Sequence, residues 1–448
     1  MKRKILAMIL SMAVVCSLAA CGTKTEETSN DEKGADQEET AIKDQQDTKL
    51  TFAWWGNQVR NERTSQILNM YAEENPGVSF DGQFSEWNDY WNKLATAAAG
   101  HNLPDIVQMD LQYYDQYVKN GLLLDLTHYI EDGSLELSDV DESVLESAKI
   151  NGETYAVCNG VNAPALIYNK TALEEAGIEV KDGMTIDEFV EISKEIKEKT
   201  GYSTNIGYYG ETLPEYFLRA KDKVFFEEGR LGVDTGSDLE TIFKLEEQSI
   251  AEGWHVEPGV FTEITIGSVE QDPLCYGSSP EKMSWCAFAY SNQLSTLKAA
   301  APEGMELGVT TWPSDDIEKS NYLKPSQFFA VTTDCKNPDE AVKVLNYITN
   351  SVECNEILLA ERGVPISKKV AEAITPKLDA ENQQAVTYIN EVVTPKCSTI
   401  NPAAPKGANE VYDLLKSLEE QVLYGQISAE DAAEQLFREG NEFMQAAQ

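Results

Sequence analysis

The chain has 448 residues, of which 42% are hydrophobic, 25% charged and 9% aromatic. This length predicts two folded lobes, and the composition excludes a fibrous or largely disordered chain. Lys and Arg total 36 against 76 Asp and Glu, which gives a formal net charge of −40. Because a surface of that sign repels phosphate backbones, we expect no nucleic-acid partner.

The first 20 residues have the features of an export signal. Lys2, Arg3 and Lys4 precede an apolar run that is too short to span a bilayer. The segment ends in Leu18-Ala19-Ala20-Cys21-Gly22, which resembles the bacterial lipobox, where the cysteine is acylated and becomes the first mature residue. The alternative is an ordinary cleavage site with an accidental cysteine.

Residues 22–48 consist almost entirely of polar and charged side chains, so they cannot bury enough apolar surface to fold. We interpret residues 21–48 as a lipidated cysteine followed by a disordered acidic tether. Acyl chains on Cys21 would anchor the protein on the extracellular face of the cell membrane without a transmembrane helix. No other hydrophobic stretch is long enough to cross a bilayer.

Strands and helices alternate from Lys49 onward, which indicates an α/β fold. A β-rich run from Leu50 to Trp55 opens the pattern, and residues 105–109 form a nearly continuous apolar strand typical of a buried parallel sheet. Thr185 and Glu188 predict a capping box, and Asn337-Pro338 predicts a helix start. Apolar residues from Val411 to Val422 form one helical stripe.

Catalytic and metal-binding motifs are absent from the sequence. The three histidines lie in no ligand spacing, and the six cysteines after Cys21 form no C-x-x-C pair. We therefore expect no metal, no cofactor and no catalytic residue, and we leave the disulfide pairing open. A pair of carboxylates for a glycoside hydrolase stays possible because acidic residues are numerous.

The seven tryptophans lie largely at predicted strand ends or beside polar residues and turns. A sugar ring has an apolar C–H face and a rim of hydroxyls, so its site needs flat aromatic surfaces together with amide, carboxylate or guanidinium groups. The sequence contains both kinds of group in alternation. Core packing is the competing interpretation for any single tryptophan.

Four stretches in this order, behind the lipobox, carry a family resemblance. They are Phe52 to Gly56, Trp87 to Asp110, Tyr117 to Leu126 and Asn151 to Lys170. The chain resembles the family 1 extracellular solute-binding proteins, the lipoprotein receptors of bacterial ATP-driven sugar importers. The resemblance implies a two-lobed periplasmic-binding-protein-like fold (type II-like), with a ligand cleft between lobes that are joined by crossing hinge segments.

The same resemblance implies domain boundaries. The N-terminal lobe would comprise residues 49–157 and 313–365, and the C-terminal lobe residues 158–312 and 366–448. The crossing segments would lie near Val157 to Pro164, Leu307 to Pro325 and Arg362 to Lys368.

The resemblance also implies a set of ligand-binding residues. These are Trp55, Asn57, Arg60, Trp87, Asp110, Tyr113, Asn162, Glu215, Tyr216, Trp285 and Trp312. Trp285 is the residue most expected to stack on a sugar, whereas Trp312 could instead brace the hinge.

The sequence thus predicts a monomeric, lipid-anchored receptor that captures a carbohydrate and delivers it to the permease of an ABC importer. A neutral oligosaccharide is favoured because Arg60 is the only cation among the predicted site residues. A secreted glycoside hydrolase and a receptor for a non-sugar solute are the alternatives.

Overall fold

Strands and helices alternate through most of the chain, as the sequence predicts. A computed structural model describes residues 47–206 and 212–448. The strands are β1 (Thr48–Trp55), β2 (Val78–Ser85), β3 (Ile106–Met109), β4 (Lys149–Ile150), β5 (Glu153–Thr154), β6 (Val157–Asn162), β7 (Pro164–Asn169), β8 (Phe226–Glu227), β9 (Arg230–Leu231), β10 (Cys286–Tyr290), β11 (Leu307–Thr310) and β12 (Lys324–Val331). The signal segment, Cys21 and most of the tether lie outside the described residues.

Seventeen α-helices occur in the described part of the chain. They are α1 (Gln58–Glu74), α2 (Trp87–Ala99), α3 (Leu111–Lys119), α4 (Thr127–Glu131), α5 (Glu142–Ser147), α6 (Lys170–Ala176), α7 (Ile186–Thr200), α8 (Thr212–Arg219), α9 (Glu240–Ala251), α10 (Leu294–Ala300), α11 (Ile317–Ser320), α12 (Pro338–Asn350), α13 (Val352–Leu358), α14 (Lys368–Ile374), α15 (Ala380–Thr387), α16 (Ala408–Leu423) and α17 (Ala429–Ala446). None of them, within the ranges the structure covers, has the length and apolarity needed to cross a membrane.

Local sequence signals place several of these helices correctly. Thr185 and Glu188 form the predicted capping box at the start of α7, because each side chain accepts a hydrogen bond from the other residue's backbone N–H. Helix α12 begins at Pro338, as predicted, where the missing N–H of proline costs no helical hydrogen bond. The apolar stripe of α16 is also confirmed, with Val411 and Val422 both buried.

Two main sheets organise the chain. The first has the strand order β2-β1-β3-β12-β6, and the second has the order β10-β7-β11. Strand β1 pairs in parallel with β2 and β3, which confirms a parallel pairing for the predicted strand at 105–109, whereas β12 runs antiparallel to both β3 and β6. Strand β7 is antiparallel to both of its neighbours.

The chain changes from one sheet to the other at two points. A single residue, Ala163, separates β6 of the first sheet from β7 of the second, and the chain returns between the end of β11 and the start of β12. The first change therefore lies a few residues beyond the predicted boundary at residue 157. The domain boundaries themselves stay a prediction.

A third segment, residues 361–364, packs against β6. The backbone groups of Val161 and Val364 exchange two hydrogen bonds of 2.8 and 3.0 Å. Gly160 permits this approach, since a Cβ at that position would lie 2.4 Å from the carbonyl oxygen of Arg362. Three stretches of chain thus meet where the two sheets adjoin.

Candidate functional site

A cavity of about 750 Å³ opens where these stretches meet. Its walls come from both sheets and from the loops that follow their strands. The lining residues are Trp55, Arg60, Arg63, Trp87, Asp110, Leu111, Asn162, Tyr290, Asn292, Gln293, Lys324, Pro325, Ser326, Gln327, Leu359, Ala360, Glu361, Arg362, Gly363, Lys377, Leu378, Asp379 and Asn382. This volume is within the usual range for small-molecule sites.

Strand direction explains why residues distant in sequence meet at the cavity. Trp55 ends β1, Asp110 follows β3, and Trp87 begins α2 just after β2. These three strands run in parallel, so their carboxyl ends lie at one edge of the sheet. Ligands of open α/β sheets bind outside such an edge.

Two tryptophans form an aromatic wall of the cavity. The Trp55 and Trp87 rings are half-buried and nearly perpendicular, with centroids 5.0 Å apart. Behind them lies Trp91, which is 5.6 Å from Trp55 and stacks on Tyr113 at 3.9 Å. The inner rings hold the two outer rings in place, and the outer rings keep exposed surface for an apolar ligand face.

Charged groups form a second wall of the cavity. Arg60 Nε donates to both carboxylate oxygens of Glu361, at 2.9 and 3.1 Å. Glu361 also lies 3.6 Å from the guanidinium of Arg362, which is buried and donates to Thr64 Oγ1 at 2.7 Å. Burial, and then the neighbouring Arg60, lower the pKa of Arg362.

Polar side chains from β6 and β12 also line the cavity. Asn162 and Lys324 are directly paired across the two antiparallel strands. The Lys324 ammonium lies 4.5 Å from the centroid of the Tyr290 ring, a cation–π arrangement. Burial raises the pKa of Asp110, and the hydrogen bond from the Gln112 backbone and the charge of Lys324 oppose that shift.

Comparisons with known proteins agree with this architecture. The sequence profile of the family described as "Bacterial extracellular solute-binding protein" matches residues 66–246. A solved extracellular solute-binding protein family 1 from Alicyclobacillus acidocaldarius is 25% identical, with a TM-score of 0.79 over 89% of this chain and 99% of its own. The chain belongs to the bacterial extracellular solute-binding proteins.

Two curated relatives of this solute-binding protein cover different shares of it. The diacetylchitobiose-binding protein DasA of Streptomyces coelicolor is 30% identical over 200 residues, which are 45% of this chain and 44% of the relative. The lactose-binding protein of Rhizobium radiobacter is 24% identical over 421 residues, which are 85% of this chain and 93% of the relative. As a member of this family, the protein is a non-catalytic transport receptor.

Five of the predicted site residues of the solute-binding protein line the cavity. These are Trp55, Arg60, Trp87, Asp110 and Asn162. Two others lie nearby without lining it: Asn57 is exposed and caps α1 by accepting from the Arg60 backbone, and Tyr113 supports Trp91.

Three predicted site residues lie in the hydrophobic core instead. Trp285 is fully buried, and its Nε1 donates to Thr204 Oγ1 at 2.9 Å. Tyr216 is fully buried and donates to Asn321 Oδ1 at 2.7 Å, and Trp312 packs 5.2 Å from the Tyr216 ring. A ring without exposed surface has none to offer a ligand, so we assign Tyr216, Trp285 and Trp312 to packing.

Glu215 lies outside the cavity lining. It is half-buried and accepts a 2.6 Å hydrogen bond from Asn401 Nδ2. Burial raises its pKa, while this hydrogen bond and the charges of Arg219 and Lys324 oppose the shift. Its described hydrogen bond is thus to another residue outside the cavity lining.

The prediction missed the residues from distant segments. Tyr290, Lys324 and Glu361 line the cavity but lie in no local motif of the sequence. Their signal is positional, since Lys324 and Glu361 border the predicted crossing segments at Leu307 to Pro325 and Arg362 to Lys368.

The described residues contain no group of three or more His, Cys, Asp or Glu side chains arranged to hold a metal ion. The six cysteines of that part of the chain are free thiols. His255 is buried, and burial lowers the pKa of its imidazole to about 4, so it is a neutral core residue at physiological pH.

Proposed function

We propose that this solute-binding protein captures an oligosaccharide outside the cell and delivers it to the permease of an ABC importer. The observation that carries the proposal is the pair of half-buried rings, Trp55 and Trp87, which face a cavity with amide and charged side chains. Aromatic faces suit the C–H face of a sugar, and the polar groups suit its hydroxyls. Several relatives support a carbohydrate, since their names give diacetylchitobiose and lactose as ligands.

Thermal unfolding of the full-length chain tests this proposal. A panel of mono- and oligosaccharides, both neutral and acidic, is compared with amino acids and short peptides at equal concentration. A sugar that binds the folded protein should raise the unfolding midpoint, and the rise should grow with sugar concentration. At a sugar concentration one hundred times its dissociation constant, the free energy of unfolding should increase by about 2.7 kcal/mol. A midpoint raised by peptides and by no sugar would make the protein a receptor for another solute.

We also propose that Cys21 is the site of a lipid anchor. The support is the lipobox-like sequence Leu18-Ala19-Ala20-Cys21. The substitution Cys21→Ser should release the protein from the membrane fraction and abolish incorporation of labelled palmitate. A variant that stays in the membrane fraction would contradict the anchor.

A further inference from the structure

The charges around the cavity differ in sign from those of the whole chain. Acidic residues outnumber basic ones by 76 to 36 in the sequence. Five basic residues and three acidic residues line the cavity, namely Arg60, Arg63, Lys324, Arg362 and Lys377 against Asp110, Glu361 and Asp379. The cavity lining thus has an excess of positive charge, although the chain as a whole is strongly acidic.

Most of these cations already have partners in the protein. Arg60 is paired with Glu361, and Lys377 lies 2.5 Å from Glu356. Arg63 donates to the carbonyl of Leu358 at 2.6 Å. Glu361 and Glu356 thus pair with two of the five cations, and a backbone carbonyl at the end of α13 accepts from a third.

Lys324 is the exception. It is half-buried, and its ammonium forms no ion pair and no hydrogen bond with any residue in the described ranges; it lies 4.5 Å from the centroid of the Tyr290 ring. Arg63 also lacks an ion pair, but it has the Leu358 carbonyl as an acceptor. Burial raises the pKa of the Asp110 and Glu215 carboxyl groups and the charge of Lys324 opposes that shift, but neither group lies close enough to Lys324 to form an ion pair with it. A partly desolvated ammonium without a counterion is unfavourable unless an anion binds to it.

We propose that the ligand is an acidic oligosaccharide and that a uronate carboxylate pairs with Lys324. This inference rests on the proposed function, since it names the class of sugar that the same cavity takes. It replaces the neutral sugar that the sequence favours, because the folded cavity adds Arg63, Lys324, Arg362 and Lys377 to the single predicted cation, Arg60.

A singly charged carboxylate fits the surroundings of Lys324 better than a phosphate does. Asp110 and Glu215 both influence this region, and each would repel a doubly charged group more strongly. The Asn162 amide, which is paired with Lys324 across β6 and β12, can donate to a second carboxylate oxygen. Trp55 and Trp87 remain available for the sugar rings.

Calorimetric titration of the full-length chain with di- and trigalacturonic acid tests the inference. The matched ligands are their methyl esters, which keep the rings and lose the charge, and neutral disaccharides such as lactose and chitobiose. The free acids should bind at least about tenfold more tightly than the esters, because only the acids can form a charge-assisted hydrogen bond with Lys324. Their affinity should fall as salt is added.

Two variants connect the effect to Lys324. Lys324→Gln should weaken binding of the acids about tenfold and weaken binding of the esters clearly less, so that the preference for the acids is lost. Lys49→Gln removes the same charge from an exposed lysine of β1 outside the cavity and should change neither.

The outcomes separate this inference from the proposed function. Tighter binding of the esters or of neutral sugars overturns the acidic ligand and leaves the carbohydrate receptor in place. Equal binding of acids and esters does the same. Binding of no sugar at all overturns both proposals.

Discussion

Glu361 is the single residue on which the charged wall of the cavity depends. Its carboxylate accepts two hydrogen bonds from Arg60 and lies 3.6 Å from the buried Arg362. Arg362 has two side-chain nitrogens, Nε and Nη1, that are buried without a hydrogen-bond partner among the described residues. The nearby negative charge of Glu361 is therefore what makes the burial of Arg362 tolerable.

The substitution Glu361→Gln should lower the free energy of unfolding by about 3 kcal/mol, because it leaves two neighbouring guanidinium groups without their anion. Chemical denaturation at neutral pH measures this change. The matched control is Glu73→Gln on the exposed surface of α1, which should change stability by less than about 0.5 kcal/mol. Equal stability of the Glu361 variant and the wild type would show that the network contributes nothing.

The tryptophans show how much of the site the sequence could predict. Trp55 ends β1 and Trp87 comes soon after β2, and both strand ends can be read from local patterns, so the place of these rings at the cavity could be predicted. Trp285 also lies beside a strand, β10, but the sequence does not show which side of the sheet its ring occupies. Its burial depends on packing against Phe189 of α7, almost one hundred residues earlier.

At the scale of elements, helix starts were predictable and long-range strand pairing was not. The capping box of α7 involves residues three positions apart, so the sequence contains the whole signal. The pairing of Asn162 with Lys324 joins β6 and β12, which lie far apart along the chain. Such pairing is decided by sheet topology, and this is why Lys324 was missed.

Helices α9 and α16 contain a pair of buried carboxyl groups that no sequence pattern indicates. Glu246 and Glu419 are each 1% exposed, and each has a side-chain oxygen without a partner in the described chain. Burial raises the pKa of Glu419 to about 8 and that of Glu246 well above its usual value, with Glu419 adding to the shift of Glu246. Lys416 opposes the shift of Glu419.

These carboxyl groups should make the fold less stable as pH rises from about 4 to about 8. Over that range the unfolded chain releases their protons at the ordinary glutamate pKa of about 4.3, whereas the folded chain retains them. The substitution Glu419→Gln should therefore raise stability at pH 8.5 by about 2–4 kcal/mol and change it little at pH 4.5.

Thermal and denaturant unfolding of the variant and the wild type at both pH values measure this difference. Glu420→Gln, at the exposed neighbouring position on α16, is the matched control and should show no such dependence on pH. If Glu419→Gln is less stable than the wild type at pH 8.5, an ionised Glu419 must be stabilised in the fold, and the interpretation is wrong.

At the scale of the whole molecule, two sheets and three adjoining stretches of chain produce one cavity with an aromatic wall and a charged wall. The α/β class and the family were predictable because strand and helix patterns and short motifs are local. The composition of the charged wall was not, because Arg60 and Glu361 come from opposite parts of the chain. The proposed function therefore requires that the ligand binds in this cavity.

Calorimetric titration of the wild type, Trp55→Ala, Trp87→Ala and Trp285→Phe, with the sugar that most raises the unfolding midpoint, shows whether the ligand binds in the cavity. We expect one sugar per chain for the wild type and a loss of about 1–3 kcal/mol of binding free energy for each cavity variant. Trp285→Phe should bind as the wild type does, because that ring is buried in the core. Unchanged affinity in both cavity variants, together with weakened binding in Trp285→Phe, would contradict the account.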